Sequence, residues 1–218
     1  MIDIALEYIA GQWKNTSVLE IIAVCFSVSQ VLLSYRNSIL LYPAGIISCS
    51  LFIGLLARPS VGLYAEALLN SYYLIMSIYG WIRWNRRNKL REQINITRCR
   101  SNDWIRVAAI CVIAFGLLYA CLRYFTDSNV PFLDALVSAF AWAGMWLLAN
   151  RKLENWILLN LSNIIAIPLL FYKGMPLTAL LTAFLFTVAV FGYFRWRKIM
   201  NDTTAKRENA ITPESVIS

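Results

Sequence analysis

The stretch Leu153–Tyr172, LENWILLNLSNIIAIPLLFY, decides the fold of this chain. It is long and apolar enough to cross a lipid bilayer as a helix, yet polar side chains lie along it. At 100° per residue, Trp156, Asn160 and Asn163 fall within about 60° of one another on one face. An amide that faced lipid would leave its donors and acceptors without partners. The sequence therefore predicts that this face lines a solute path, with interhelical hydrogen bonding as the alternative.

The composition extends this prediction to the whole chain. Of its 218 residues, 59% are hydrophobic, and the mean hydropathy is +0.58. Both values exceed those of an ordinary soluble domain, so an all-α integral membrane protein is expected. The net charge of +8 does not indicate nucleic-acid binding, because the charges lie between the apolar runs. Without histidine, and with five cysteines that form no CxxC pair, the chain is expected to hold no metal and no cofactor.

Seven apolar stretches are long enough to be transmembrane helices. The first is expected to be retained rather than cleaved as a signal peptide, because Asp3 and Glu7 precede the first positive charge, Lys14. The predicted spans are Val18–Tyr35, Ile39–Ala57, Val61–Trp84, Trp104–Tyr124, Phe132–Ala149, Asn155–Tyr172 and Pro176–Trp196.

These spans divide the chain into six segments. An N-terminal segment is expected at 1–17, and a first three-helix unit at 18–84. A basic cytoplasmic loop follows at 85–103, then a linking helix at 104–124. A second three-helix unit occupies 131–198, and the polar tail at 199–218 is expected to be disordered.

The distribution of Lys and Arg predicts the orientation of the chain. One side of the predicted membrane has four such residues, Lys14, Arg58, Arg123 and Lys173, and the other side has the remaining sixteen of the 20. Because cytoplasmic loops are enriched in Lys and Arg, the N-terminus is predicted to lie outside and the C-terminus inside.

Two six-residue segments at the ends of spans three and seven indicate an internal repeat. Residues 79–84, YGWIRW, match residues 191–196, FGYFRW, in an aromatic-Gly-aromatic pattern that ends in Arg-Trp. Leu32-Leu33 with Arg36 likewise matches Leu147-Leu148 with Arg151 at nearly the same offset. The sequence therefore predicts two parallel three-helix units joined by span four, a 3+1+3 arrangement typical of SWEET-like sugar carriers.

Other predicted spans also contain lines of polar side chains at helical spacing. The predicted binding residues are Trp156, Asn160, Asn163, Glu66, Asn70, Tyr73, Gln30, Trp142 and Ser138. Two of these residues have alternative interpretations. Glu66 is expected either to attract a cationic solute or to be a shallow, hydrated carboxylate. Trp142 is expected either to stack on the solute or to pack between helices. Asp134 is expected to cap span five, and Glu154 to form an ion pair with Arg151 or Lys152.

Several chemical functions lack their usual residues. The chain contains no GxxxxGK[ST] loop, no HExxH and no GxSxG, so nucleotide hydrolysis and the corresponding hydrolases are not predicted. Span seven contains no lysine for a retinal Schiff base. A passive or ion-coupled carrier is therefore favoured over an enzyme, with a non-transporting membrane receptor as the alternative from another class.

Five short segments resemble the PnuC family of bacterial vitamin transporters. They are 42–48 (YPAGIIS), 63–66 (LYAE), 77–81 (SIYGW), 131–134 (PFLD) and 151–156 (RKLENW). The resemblance extends from about Val18 to Lys198. It implies a seven-helix 3+1+3 fold in the bacterial inner membrane and uptake of nicotinamide riboside, or of thiamine or riboflavin in sister branches.

The same resemblance implies transport by facilitated diffusion, with trapping of the solute by a cytoplasmic vitamin kinase. The expected partners are thus the vitamin, membrane lipid and, functionally, that kinase, with no nucleic acid; a homo-oligomer is left open. In the riboside branch, span six contains WxxWxxxN. Trp156 and Asn163 match that motif, but Leu159 replaces its second tryptophan. Leucine offers no stacking or cation–π energy, so thiamine is the first expected solute, nicotinamide riboside the alternative and riboflavin the third.

Overall fold

The computed structural model describes residues 18–57, 64–89, 95–126 and 129–211, without the side chains of 64–66, 87–89, 177 and 206–211. Seven helices lie within these ranges: α1 (Val18–Tyr35), α2 (Leu41–Leu56), α3 (Tyr64–Lys89), α4 (Ser101–Phe125), α5 (Pro131–Ala149), α6 (Asn155–Tyr172) and α7 (Pro176–Ile211). Apart from one isolated bridge between Thr97 and Lys152, no strand pairing occurs in the described residues. The all-α prediction is confirmed.

Five of these helices are long and apolar enough to cross a membrane: α1, α4, α5, α6 and the Thr178–Ala205 part of α7. Helix α2 is apolar but has only 16 residues, about 24 Å at 1.5 Å per residue. Helix α3 has 26 residues but contains more polar side chains. The chain is therefore a multi-pass membrane protein, and the crossings by α2 and α3 stay predictions.

Two helices extend beyond their predicted ends. Helix α3 continues past Trp84 to Lys89. Helix α7 continues past Trp196 to Ile211, so a large part of the tail that was expected to be disordered is helical. The reason is local, because no glycine or proline interrupts the chain between Gly192 and Pro213.

The helices pack as two consecutive triplets and one outer helix. Helices α1, α2 and α3 pack in sequence, and so do α5, α6 and α7. The triplets meet where α3 packs on α5 and where α1 packs on α7, whereas α4 lies mainly against α5. Buried serines join neighbouring helices inside each triplet: Ser48 Oγ donates to the Ala23 carbonyl (2.9 Å) and Ser162 Oγ to the Val137 carbonyl (2.8 Å).

The short connection between α5 and α6 is tied to the segment that precedes α4. Thr97 N–H donates to the Arg151 carbonyl (3.1 Å), and Lys152 Nζ pairs with Asp103 at 2.8 Å. Glu154 Oε2 accepts a hydrogen bond from the Cys99 backbone N–H at 2.9 Å. In the described residues Glu154 thus binds a backbone amide rather than Arg151 or Lys152. The expected ion pair was wrong because Asp103 of α4, distant in sequence, takes Lys152.

Asp134 lies in the first turn of α5, one turn after Val130, which occupies the N-cap position. Its carboxylate pairs with Lys173 Nζ at 2.5 Å, beyond the end of α6. This ion pair joins two ends of the second triplet. The predicted role of Asp134 in capping stays a prediction.

Candidate functional site

A cavity of about 230 Å³ lies between the two triplets. Every helix except α4 contributes to its wall, and none of the described residues that line it is charged. The lining residues are Ser27, Gln30, Val31, Ser34, Ser48, Cys49, Phe52, Asn70, Tyr73, Met145, Leu148, Trp156, Leu159, Asn163, Leu185 and Ala189. The wall thus combines amides, hydroxyls and aromatic rings with aliphatic side chains.

Five of the predicted binding residues line this cavity. They come from three helices: Gln30 from α1, Asn70 and Tyr73 from α3, and Trp156 and Asn163 from α6. The helical spacing placed each of them on an inward face, and the packing of the triplets brings those faces together. Three amides, a phenol and an indole therefore line the same cavity.

Asn160 is not among the residues that line the cavity. On α6, Leu159 and Asn160 are 100° apart, on opposite sides of the direction of Trp156. The cavity extends towards Leu159, so Asn160 falls outside it. Of the predicted face of α6, Trp156 and Asn163 therefore line the cavity and Asn160 does not. The aliphatic residue Leu159 lines it instead.

Trp142 and Ser138 of α5 also lie away from the cavity wall. The Trp142 ring is stacked on Tyr72 of α3, with centroids 4.2 Å apart and planes 10° apart. Tyr72 Oη donates to the Trp142 carbonyl at 3.1 Å. Trp142 thus joins α5 to α3. Glu66 belongs to α3, but its side chain lies outside the described residues.

Helices α2 and α7 line the cavity with residues that sequence reasoning did not select. Ser48 and Cys49 of α2, and Leu185 and Ala189 of α7, are small or aliphatic. Ser27 and Ser34 of α1 share the helical face of Gln30 and also line the cavity. Aliphatic lining residues give no periodic polar signal, so only the packing of the triplets identifies them.

Two buried polar atoms belong to side chains of the cavity wall. Ser34 Oγ and Trp156 Nε1 have no hydrogen-bond partner among the described residues, although Ser34 is 3% exposed and Trp156 is 2% exposed. A buried donor without a partner is rare and costs about 1–3 kcal/mol. A polar group that reaches either atom would therefore gain a hydrogen bond there.

Trp156 is held in place by a close approach of α7. A Cβ atom added to Gly192 would lie 2.8 Å from two atoms of the Trp156 ring, so only glycine lets the two helices come this close. Trp196, one turn after Gly192 on α7, contacts the Trp156 ring edge to face, at a centroid distance of 5.6 Å. The cavity wall is therefore preorganised at this residue.

Next to this wall lies a buried guanidinium. Arg151 is 3% exposed, and its Cζ lies 3.9 Å from the Trp84 ring centroid and 5.0 Å from that of Trp196. Its three guanidinium nitrogens have no hydrogen-bond partner in the described part of the chain. Burial lowers the pKa of Arg151 to about 10, so it remains a cation at neutral pH.

Comparisons with known proteins agree with this architecture. The family model described as nicotinamide mononucleotide transporter matches residues 17–198. The nicotinamide riboside transporter PnuC of Escherichia coli (strain K12) is 24% identical over 180 residues, which cover 71% of this chain and 74% of that protein. The PnuC of Neisseria mucosa is 26% identical over 172 residues, covering 73% and 64% respectively.

A solved structure shows the same fold. The crystal structure of the vitamin B3 transporter PnuC superposes with a TM-score of 0.67 and 21% sequence identity, covering 91% of this chain and 88% of that one. The family model covers most of the chain, including all the cavity-lining residues. The chain therefore belongs to the nicotinamide mononucleotide transporter family.

Proposed function

We propose that this protein transports nicotinamide riboside across the membrane by facilitated diffusion, through the cavity between the two triplets. The observation on which this rests most is the wall itself: rings, amides and unpaired buried donors surround an uncharged space between six helices. Such a wall binds a flat, polar molecule through stacking and hydrogen bonds.

The chemistry of the wall favours a riboside over its phosphate ester. Nicotinamide riboside has a flat cationic ring, a carboxamide and ribose hydroxyls. Trp156 and Tyr73 place aromatic rings in the wall, while Gln30, Asn70 and Asn163 offer amides for the carboxamide and hydroxyls. A phosphate would need a cation, and none of the described lining residues is one.

Thiamine is the second candidate, and one specific observation favours it. Leu159 lines the cavity where the riboside branch has a tryptophan, and its side chain packs so closely on Gly144 that an added Cβ there would lie 2.9 Å away. This substitution put thiamine first from sequence. The relatives reported above are named for nicotinamide riboside and give thiamine no support, so the order is reversed. Riboflavin, larger and neutral, stays third.

We also propose that the triplets are the parallel repeats of a 3+1+3 fold. Hydrogen bonds at equivalent positions support this: Ser48 to Ala23 corresponds to Ser162 to Val137, with both residues shifted by 114 positions. The contacts between triplets are equivalent too, because α1 against α7 corresponds to α5 against α3.

The loops and aromatic contacts give the repeat further support. Asn37 and Arg151, again 114 positions apart, have φ values of 59° and 57° at the same kind of helix end. Tyr42 packs on Gly80 in the first triplet as Trp156 packs on Gly192 in the second. The structural equivalent of Arg151 is therefore Asn37, one residue later than the Arg36 that the sequence match suggested.

The same proposal includes the orientation. The four-to-sixteen division of Lys and Arg places the α1–α2 and α5–α6 loops and the end of α7 in the cytoplasm of a bacterial cell, with the N-terminus outside. A cytoplasmic kinase that phosphorylates the riboside would prevent its return, because the uncharged wall excludes the product. Net uptake then needs no coupling ion.

Flux into liposomes tests the proposal. Purified protein in vesicles should equilibrate labelled nicotinamide riboside without ATP and without a proton or sodium gradient, thiamine more slowly, and the mononucleotide not at all. Protein-free vesicles are the control. Binding without flux would instead indicate a receptor, and flux that requires a gradient would indicate a coupled carrier. Faster flux of thiamine would restore thiamine to first place.

A further inference from the structure

The cluster around Arg151 lies where the two triplets meet, beside the cavity. The arginine follows the end of α5, and Leu148, one turn earlier, lines the cavity. Its guanidinium packs between Trp84 and Trp196, and Trp196 in turn contacts the cavity residue Trp156. The cluster therefore packs against the part of the cavity wall that Leu148 and Trp156 form.

The cluster joins the two triplets. Arg151 and Trp196 belong to the second triplet, whereas Trp84 and Tyr42, whose rings are 6.1 Å apart, belong to the first. Trp196 Nε1 also donates across the boundary to the Ser34 carbonyl, at 2.8 Å. Movement of one triplet relative to the other at this end therefore has to separate the guanidinium from Trp84.

The backbone of Arg151 is fixed, so its side chain is the movable part. Arg151 N–H donates to the Leu148 carbonyl (3.0 Å), and its own carbonyl accepts from Thr97 N–H (3.1 Å). The positive φ of 57° is a conformation that non-glycine residues rarely adopt. The equivalent position of the first triplet has Asn37, which is too short to reach across in the same way.

The charge of Arg151 acts against the packing of its side chain. Stacking on an indole face stabilises a guanidinium, but here its nitrogens have lost water and make no hydrogen bond of regular geometry in the described residues. The Tyr42 hydroxyl is a polar neighbour of the guanidinium and offsets only part of the effect of burial. Once the cluster separates, water can hydrate the guanidinium nitrogens again. The volume of the side chain thus closes the path, whereas its charge favours reopening.

We propose that Arg151 is the cytoplasmic gate of the cavity, a planar cation that fills the space between Trp84 and Trp196 and leaves Trp84 when the triplets separate. This inference rests on the proposed transport function and orientation. It assigns the opening of the cavity to one residue that contacts both triplets, through Trp84 of the first and Trp196 of the second.

The native Cys49 makes the gate measurable without any solute. Cys49 lines the cavity and is 5% exposed. A variant in which Cys25, Cys99, Cys111 and Cys121 are alanine keeps it as a single thiol. Inside-out vesicles are exposed to a membrane-impermeant, charged maleimide, and the rate of Cys49 modification is followed.

Two substitutions should change this rate in different ways. Arg151→Ala removes the side chain that fills the space between Trp84 and Trp196, so modification of Cys49 should be faster by about tenfold or more. Arg151→Met keeps most of the volume but removes the charge that favours hydration, so modification should be no faster than in the parent. If Arg151→Ala does not accumulate, Trp84→Leu, which removes the facing ring, replaces it with the same expected increase.

Arg195→Ala is the matched control. Arg195 also stacks on an aromatic ring across the triplet boundary, that of Tyr35 at 4.6 Å. It directly precedes Trp196 in the chain, but it is exposed and is not part of the buried stack of Arg151 on Trp84 and Trp196, so its loss should leave the rate unchanged. The gate is refuted if Arg151→Ala, or Trp84→Leu in its place, labels no faster than the parent, or if Arg151→Met labels faster. Protection of Cys49 by nicotinamide riboside is scored separately, so a failure of the transport proposal is distinguishable from a failure of the gate.

Discussion

Replacing Asn163 by leucine is expected to reduce uptake of nicotinamide riboside about tenfold or more, while the amount of protein in the membrane stays unchanged. Asn163 lines the cavity and is only partly buried. Leucine is similar in volume, so packing should survive. A polar group of the solute left facing it would lose its partner, at a cost of about 1–3 kcal/mol.

The neighbouring amide provides the control for this prediction. Asn160 lies on the same helix, less than one turn away, but outside the cavity wall. Asn160→Leu should therefore take up the riboside at close to the parent rate. Both variants are measured as initial uptake in cells that contain the kinase, normalised to membrane protein by immunoblot. Equal uptake by Asn163→Leu and the parent would remove α6 from the binding site, and a loss confined to Asn160→Leu would place the solute on the other side of Trp156.

Replacing Gly80 by alanine is expected to destabilise the protein by about 1–3 kcal/mol, the usual cost of overpacking. A Cβ atom at this position would overlap the ring of Tyr42. Tyr42 is 2% exposed and belongs to the largest buried cluster, together with Leu148, Trp156 and Trp196, so the ring has little room to move. The expected result is a clear fall in the thermal unfolding midpoint of the detergent-solubilised protein.

Gly116→Ala is the matched substitution in α4. No atom lies within 4 Å of a Cβ added there, so alanine meets open space. Because alanine favours a helix over glycine by about 1 kcal/mol, the midpoint should be unchanged or slightly higher. The prediction fails if Gly80→Ala retains the parent midpoint. A fall in both variants would show that any substitution of a helical glycine is harmful, whatever surrounds it.

The helices were predictable because the apolar runs are long and their ends are marked. Four of the seven predicted spans both begin and end within two residues of the observed helix boundaries, as Asn155–Tyr172 does. The length of α7 was not predicted, because polarity after Met200 suggested a tail although nothing in the sequence there breaks a helix. Amphipathic spacing also indicated the inward direction of Gln30, Asn70, Tyr73 and Asn163.

The bundle of membrane helices, with amides and aromatic rings on inward faces, follows from the order of residues along the chain. These features depend on local periodicity, and a helix repeats its faces every 3.6 residues regardless of its neighbours. Which inward residues share a cavity depends instead on how the helices pack. That packing separated Asn163 from Asn160, turned Trp142 towards Tyr72, and brought Arg151 between Trp84 and Trp196. Those outcomes depend on the angles and distances at which helices far apart in sequence pack, and no single helix contains that information.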